Sequence, residues 1–178
     1  MWEYILSLIW FYFPAGAANM APVLFKWLPV LNFPVDLNKK FKGQAIFGSH
    51  KTYRGFLMGV VVAIAWLALQ SYIYNINPAY AIVDYNSINI WYLGFLMGFG
   101  ALFGDLVRSF VKRRVGIAPG KAWFPWDQID FIIGAAIFSY FYISIPWIDI
   151  LAAIALAIIL HPLFNYLGYI FRIKKNKF

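Results

Sequence analysis

Three aspartates and a cluster of cations stand close together in this 178-residue chain, where one apolar segment ends and the next begins. Asp105 lies near the end of the first segment, and Asp127 and Asp130 lie at the start of the second. If the first segment is helical, Asp105, Ser109 and Lys112 fall at i, i+4 and i+7 and share one face. Carboxylates on two helix ends are hard oxygen ligands of the kind that bind Mg²⁺ together with substrate phosphates and water. This stretch therefore predicts a site for a divalent metal ion and a phosphate.

The same aspartates also have a purely structural interpretation. Asp127 and Asp130 would then complement the positive end of a helix dipole, and Asp105 would pair with Arg108. An ionised aspartate inside a membrane span costs about 3 kcal/mol even on lenient insertion scales. Such a residue is kept for a partner or for a function, and the cations between the three aspartates favour a function.

Two short segments that contain glycine and basic residues could bring further cations to this site. A turn at 116–120 could return Lys121 toward the aspartates, and the segment 47–55 places Lys51 and Arg54 just before an apolar segment. Backbone N–H groups and point charges in such segments bind phosphate. The segment 47–55 lacks the spacing of a P-loop, so taken alone it is also consistent with a loop whose cations reach toward the membrane surface.

The composition indicates an integral membrane protein. Hydrophobic residues make up 63% of the chain, charged residues make up 12%, and the mean hydropathy is +0.69. A soluble domain carries about 25% charged residues. The chain contains no cysteine, which excludes disulfides and thiolate metal sites.

Five apolar segments are long enough to cross a bilayer, which requires roughly 20 residues of helix. They predict an all-α integral membrane protein with five transmembrane helices in a single domain, residues 1–178. The predicted spans are 2–24, 55–74, 88–107, 129–148 and 150–171.

The distribution of the fifteen basic residues predicts the orientation of the chain. All of them fall in the connecting segments 25–54 and 108–128, at the end of the third span, or in the C-terminal tail. By the positive-inside rule, the N-terminus is outside, the C-terminus is cytoplasmic, and both loops form an active site that faces the cytoplasm. This pattern also explains the net charge of +8 without nucleic acid as a partner, because short basic loops contact anionic lipid.

Three blocks of the sequence resemble the CDP-archaeol synthases, archaeal relatives of phosphatidate cytidylyltransferase. The blocks are 14–22, 34–55 and 104–114, the last together with the run Asp127-Gln128-Ile129-Asp130. The resemblance implies Mg²⁺-dependent transfer of CMP from CTP to a phosphorylated isoprenoid ether lipid. The products would be a CDP-activated lipid and pyrophosphate.

The resemblance also implies roles for the polar residues, with Mg²⁺ as the cofactor. Asp105, Asp127 and Asp130 would hold the metal ion, and Lys112 would act beside them as a catalytic residue that binds the triphosphate. The lipid chains would lie in an apolar groove between spans. The residues expected to bind CTP or the lipid phosphate are Asn19, Lys51, Arg54, Ser109, Arg113 and Lys121.

Other functions remain open from the sequence. The same chemistry could act on phosphatidate or another lipid phosphate. A CDP-alcohol phosphotransferase also uses membrane carboxylates, but its Asp-Gly-x₂-Ala-Arg run does not occur here. A non-catalytic transporter or membrane scaffold, with charges that only set the topology, predicts no Mg²⁺-dependent binding of CTP.

Overall fold

The computed structural model describes residues 1–118 and 121–170, and its framework is helical. The expectation of an all-helical framework with five helices is confirmed. Among the described residues, the second and third helices are long and apolar enough to cross a membrane. The helices are α1 (Trp2–Leu24), α2 (Tyr53–Ile76), α3 (Ile90–Arg114), α4 (Trp126–Tyr140) and α5 (Trp147–Ile170).

The third helix is longer than predicted. α3 continues to Arg114, whereas the predicted span ended at Val107, so residues 108–114 belong to the helix and not to a cytoplasmic loop. Hydropathy falls at the basic residues, but lysine and arginine are good helix formers and they complement the negative end of the helix dipole. The helix therefore extends beyond the apolar segment, and its basic residues lie on an ordered helical surface.

The fourth helix is shorter than predicted. α4 covers Trp126–Tyr140, in place of the predicted 129–148, and its 15 residues extend over about 22 Å. A connecting segment of 141–146 leads to α5, which begins directly after Pro146. Proline disfavours helical geometry in the residue before it, which separates the two helices. The predicted end of the fifth span at Phe171 lies outside the described residues.

α3 is the central helix, and it packs against α1, α2 and α4. Phe11, Leu67, Leu93 and Met97 are fully buried where these helices meet. Buried Gln70 donates a hydrogen bond to the carbonyl of Trp10 and so joins α2 to α1. This arrangement makes α3 the element against which the three neighbouring helices are positioned.

Glycines allow α3 and α4 to touch through their backbones. A Cβ atom added at Gly104 would lie 2.2 Å from the carbonyl oxygen of Asp130, and one added at Gly134 would lie 2.0 Å from the carbonyl oxygen of Gly100. Small residues at such crossings are typical of helix packing in membranes, where van der Waals contact drives association. The contact places Asp105, the residue after Gly104, directly beside the start of α4.

The segment between α1 and α2 folds against the end of α3. It contains a small antiparallel hairpin, β1 (Lys40–Phe41) paired with β2 (Gln44–Ala45), which adds to the predicted helical framework. The guanidinium of Arg114 lies over the rings of Phe110 and Phe41, at 4.3 and 5.1 Å from their centroids, and donates to the Ala45 carbonyl. Arg114 therefore fastens the hairpin to α3.

The carboxylate of Asp36 stabilises the same segment through hydrogen bonds. It accepts hydrogen bonds from the backbone N–H groups of Asn38, Phe47 and Gly48 at 2.9 to 3.1 Å. Burial acts to raise the pKa of Asp36, but these three donors outweigh it and hold the pKa below its ordinary value. The bonds fix the turn that leads to Lys51, whose carbonyl accepts the N–H of Val35 at 2.7 Å.

Replacing Gly104 by alanine tests the backbone contact between α3 and α4. The new methyl group would collide with the Asp130 carbonyl, so we expect Gly104→Ala to destabilise the protein by about 2 kcal/mol and to reduce activity. Gly16→Ala is the matched control, because its nearest neighbouring atom would be 3.8 Å away. Thermal unfolding of the purified proteins in detergent measures both. A Gly104→Ala midpoint equal to that of Gly16→Ala would contradict the close crossing.

Replacing Asp36 by asparagine tests the loop and its dependence on pH. At neutral pH we expect Asp36→Asn to cost about 2 kcal/mol, because hydrogen bonds to an ionised carboxylate are stronger than those to a neutral amide. The folded-state pKa of Asp36 is lowered, so this advantage is complete above about pH 3.9 and is lost as the pH falls through the folded-state value. The gap in melting temperature between the two proteins should therefore narrow from pH 7 to pH 3. A gap that stays constant would exclude this carboxylate as its source.

Candidate active site

One side chain, Arg108, joins the three aspartates that the sequence predicts as metal ligands. Its guanidinium donates to Asp105 and Asp127, and its Nε lies 2.9 Å from Oδ2 of Asp130. Arg108 follows Asp105 by one turn of α3, and the other two aspartates occupy successive turns at the start of α4. The structure thus brings all three carboxylates to one point between two helices.

Two lysines complete this cluster of charges. Lys112, one turn beyond Arg108 on α3, donates to both carboxylate oxygens of Asp127 at 2.9 and 3.0 Å. Lys51 reaches Asp105 from the segment before α2. Buried ion pairs persist where opposite charges and hydrogen bonds compensate the loss of water, and here three cations face three carboxylates. The structural interpretation predicted an ion pair between Asp105 and Arg108, and that pair is present. It is one contact of a larger cluster that joins α3, α4 and the first connecting segment.

Two cavities adjoin the cluster. The larger, of about 670 Å³, is lined by cations of α3 and by residues of the segment before α4. The smaller, of about 440 Å³, lies beside α1 and α2 and combines cations with apolar side chains. Four residues line both cavities, which places the cluster at their boundary: Asn19, His50, Lys51 and Asp105.

The remaining predicted residues divide between the cavities. Buried Ser109 lines the larger cavity with Arg113, whose guanidinium donates to the Ile117 carbonyl at 2.6 Å. Exposed Lys121 also lines it. The turn predicted at 116–120 includes Pro119 and Gly120, which lie outside the described residues.

Arg54 lies apart from the aspartates. It is buried at the start of α2, lines the smaller cavity, and donates to the carbonyl of Leu28. Lys51 also lines the smaller cavity, but its contact differs: it pairs with Asp105, whereas Arg54 bonds to the segment that follows α1. The basic residues of the C-terminal tail, 172–177, lie outside the described residues.

Known proteins match this chain over nearly its whole length. The CarS-like family model, CDP-archaeol synthase, matches residues 1–178. The chain belongs to this family. The CDP-archaeol synthase of Pyrococcus furiosus is 34% identical over 93% of this chain and 93% of its own length. That of Thermococcus gammatolerans is 37% identical over 90% of this chain and 89% of its own.

A solved structure supports the same relationship. It is that of an intramembrane enzyme for the biosynthesis of archaeal membrane lipids, with 31% sequence identity and a TM-score of 0.69. The match covers 88% of this chain and 91% of the other. Membership of the CDP-archaeol synthase family confirms the resemblance found in the sequence and makes this chain a CTP-dependent nucleotidyltransferase. With its apolar helices, it is a membrane protein.

Sequence reasoning did not include Arg108 among the site residues of this CDP-archaeol synthase family member. A signal for it exists: Gly100, Gly104 and Arg108 are spaced at i, i+4 and i+8, which places the guanidinium on the helix face that approaches α4. The run of basic residues concealed this signal, because a cation at the end of an apolar segment is ordinarily a determinant of membrane orientation.

The donor set fits Mg²⁺ by its chemistry. Three carboxylates on two helix ends offer hard oxygen atoms beside a cavity large enough for a nucleotide, which suits an ion that takes a few protein ligands together with phosphates and water. No group of three acidic or histidine side chains in residues 1–118 and 121–170 is arranged to hold a metal as it stands. Arg108 lies between the three aspartates, so their oxygens point at its guanidinium.

Proposed function

We propose that this chain transfers CMP from CTP to a phosphorylated, unsaturated isoprenoid ether lipid and releases pyrophosphate. The observation that carries the proposal is the cluster of three aspartates and three cations at the boundary of two cavities. The names of the relatives supply the lipid class, since the proteins of Pyrococcus furiosus and Thermococcus gammatolerans are CDP-archaeol synthases.

The larger cavity suits the nucleotide. Its lining contains Lys112, Arg113 and Lys121, which offer positive charge to a triphosphate or to departing pyrophosphate. Buried Ser109 adds a hydroxyl, and exposed Phe124 adds an aromatic face at the rim. The volume of this cavity, about 670 Å³, lies within the usual range for small-molecule binding sites.

The smaller cavity suits the lipid phosphate. Lys26 and Arg54 provide cations, and Val23, Phe56 and Leu102 provide apolar surface between α1, α2 and α3. A lipid whose headgroup enters this cavity could keep its chains along the apolar helices. Its phosphate would then lie beside Lys51 and Asp105 at the boundary with the nucleotide cavity.

The reaction needs no nucleophile from the protein. An oxygen of the lipid phosphate attacks the α-phosphorus of CTP, the bond to the β-phosphate breaks, and pyrophosphate departs with the electron pair. Two anions must approach each other for this step, so the cations at the boundary lower the repulsion and hold the two groups in line. Asn19, which lines both cavities, is placed to orient either phosphate by hydrogen bonds.

Magnesium would be held by Asp105, Asp127 and Asp130. When bound, it supplies positive charge to the phosphate oxygens of the nucleotide and of the leaving group. Lys112 would act beside these ligands, because its contact with Asp127 fixes that carboxylate while its ammonium group lines the nucleotide cavity.

The proposal includes the orientation of the chain in the membrane. The chain would cross the membrane several times, with its N-terminus outside and its active site on the cytoplasmic side, where CTP is available. The basic residues support this orientation, because those of the described part lie in or beside the segments that form the two cavities.

Replacing each aspartate of the cluster by asparagine tests the catalytic site. We expect Asp105→Asn, Asp127→Asn and Asp130→Asn each to reduce incorporation of labelled CTP into lipid by about 100-fold or more, since each removes charge where phosphates must bind. Asp149→Asn is the control, because Asp149 accepts a hydrogen bond from Tyr4 at the opposite end of the bundle. Full activity in any one of the first three would remove that residue from the site.

The acceptor is tested by the same assay with several lipids. The di-geranylgeranyl glycerol phosphate ether should be converted most efficiently. Preference for phosphatidate would keep the cytidylyltransferase chemistry and overturn the assigned lipid. Failure of the wild-type protein to bind CTP in the presence of Mg²⁺ would favour a non-catalytic membrane protein.

The separation of the two cavities gives a further prediction. We expect Lys121→Met to raise KM for CTP by about tenfold and leave KM for the lipid phosphate nearly unchanged, because its ammonium group lines the larger cavity alone. Lys26→Met should do the reverse, since Lys26 lines the smaller cavity alone. Steady-state kinetics with each substrate varied in turn measures both. Changes in the same KM for both variants would contradict the division.

A further inference from the structure

Five of the six carboxylate oxygens of the three aspartates accept a hydrogen bond, and the sixth, Oδ2 of Asp130, lies 2.9 Å from Nε of Arg108 without one. Arg108 contacts Oδ1 of Asp105, Oδ1 of Asp127 and Oδ2 of Asp130. Lys51 contacts Oδ2 of Asp105, and Oδ2 of Asp127 accepts from Lys112 and from a backbone N–H. The remaining oxygen, Oδ1 of Asp130, accepts its neighbour's backbone N–H at 2.7 Å. A metal ion that binds these carboxylates must therefore displace something.

Of the three cations in the cluster, Arg108 is the one whose departure would free the most carboxylate oxygens. Among the cations of the described residues, it contacts all three aspartates, whereas Lys51 and Lys112 contact one each. Removing its guanidinium leaves Oδ1 of Asp105 and Oδ2 of Asp130 without a cation, and it leaves Oδ1 of Asp127 with Lys112 alone. A metal ion at about 2 Å from those oxygens cannot share their surroundings with a guanidinium, because the two would overlap and their positive charges would repel.

A nucleotide offers the displaced guanidinium a new partner. Arg108 also lines the larger cavity, together with Lys112 and Arg113. Arginine binds phosphate oxygens through two parallel N–H donors, in the same way that it binds carboxylates. A triphosphate in this cavity can thus accept Arg108 while the metal ion takes the carboxylates.

We propose that Arg108 is an internal counter-ion that competes with the metal ion for the three aspartates and is transferred to the triphosphate when CTP binds. Metal and nucleotide would then bind cooperatively, since each removes the cost of binding the other. Arg108 would thus have two alternative binding partners, the three carboxylates and the triphosphate. The inference rests on the proposed function, because it concerns the same site.

Binding of Mn²⁺ to the purified protein tests the competition without any turnover. Mn²⁺ replaces Mg²⁺, and electron paramagnetic resonance measures its free concentration in uncharged detergent. Without nucleotide, we expect Arg108→Gln to bind Mn²⁺ about tenfold more tightly than the wild type, because the competing cation is gone. With α,β-methylene CTP added, the wild-type protein should bind nucleotide in Mn²⁺, and Arg108→Gln should bind it about tenfold more weakly.

Two further variants separate competition from charge alone. Arg113→Gln removes a cation from the same helix and cavity without touching an aspartate, so its affinity for Mn²⁺ should stay within about twofold of the wild type. Arg108→Lys keeps the charge but loses the planar fork, so we expect an affinity between those of the wild type and Arg108→Gln. This variant carries the test if Arg108→Gln does not fold.

The outcomes distinguish the inference from the proposed function. Equal or weaker binding of Mn²⁺ by Arg108→Gln and Arg108→Lys would show that Arg108 braces the aspartates, and it would overturn the competition. Tighter binding by Arg113→Gln as well would attribute the effect to net charge and would also overturn it. Failure of the wild type to bind the nucleotide in Mn²⁺ would instead count against the cytidylyltransferase site itself.

Discussion

The backbone contact between α3 and α4 is the constraint on which the candidate site depends. At Gly104 the two helices are so close that a single methyl group would overlap the carbonyl of Asp130. Any larger residue there would separate the helices, and the arginine one turn later could no longer reach both Asp105 and Asp130. The cluster is thus a consequence of helix packing, because rigid backbones hold the carboxylates within the span of one guanidinium.

The charge balance of the cluster explains why a third part of the chain must join it. Two aspartates on α4 and one on α3 face two cations on α3, Arg108 and Lys112. Lys51 supplies the third cation, and it comes from a segment that Asp36 and Arg114 fasten in place. Buried charge without a counter-ion is costly in a membrane protein, so folding of this segment and assembly of the site are coupled.

Local patterns in the sequence predict the parts of this site but not their partners. The bounds of α1 and the shared face of Asp105, Ser109 and Lys112 follow from hydropathy and helical period. The end of α3 does not, because basic residues look alike in a helix and in a loop. Nor does the central place of Arg108, since that depends on a crossing between helices set by glycines on both. The pairing of Lys51 with Asp105 joins residues far apart in the chain, which no local pattern encodes.

The boundary between the two cavities is formed in part by an ion pair. Lys51 and Asp105 line both cavities and bind each other, so an ion pair stands where the two phosphates would meet. If Asp105 held a metal ion, as proposed above, the ammonium group of Lys51 would be free to face the incoming anions, as would Arg108. Under that proposal, each cation that neutralises an aspartate in the folded protein would become available to a phosphate. In the folded protein, the carboxylates hold these cations in place at the boundary where the two phosphates are proposed to meet.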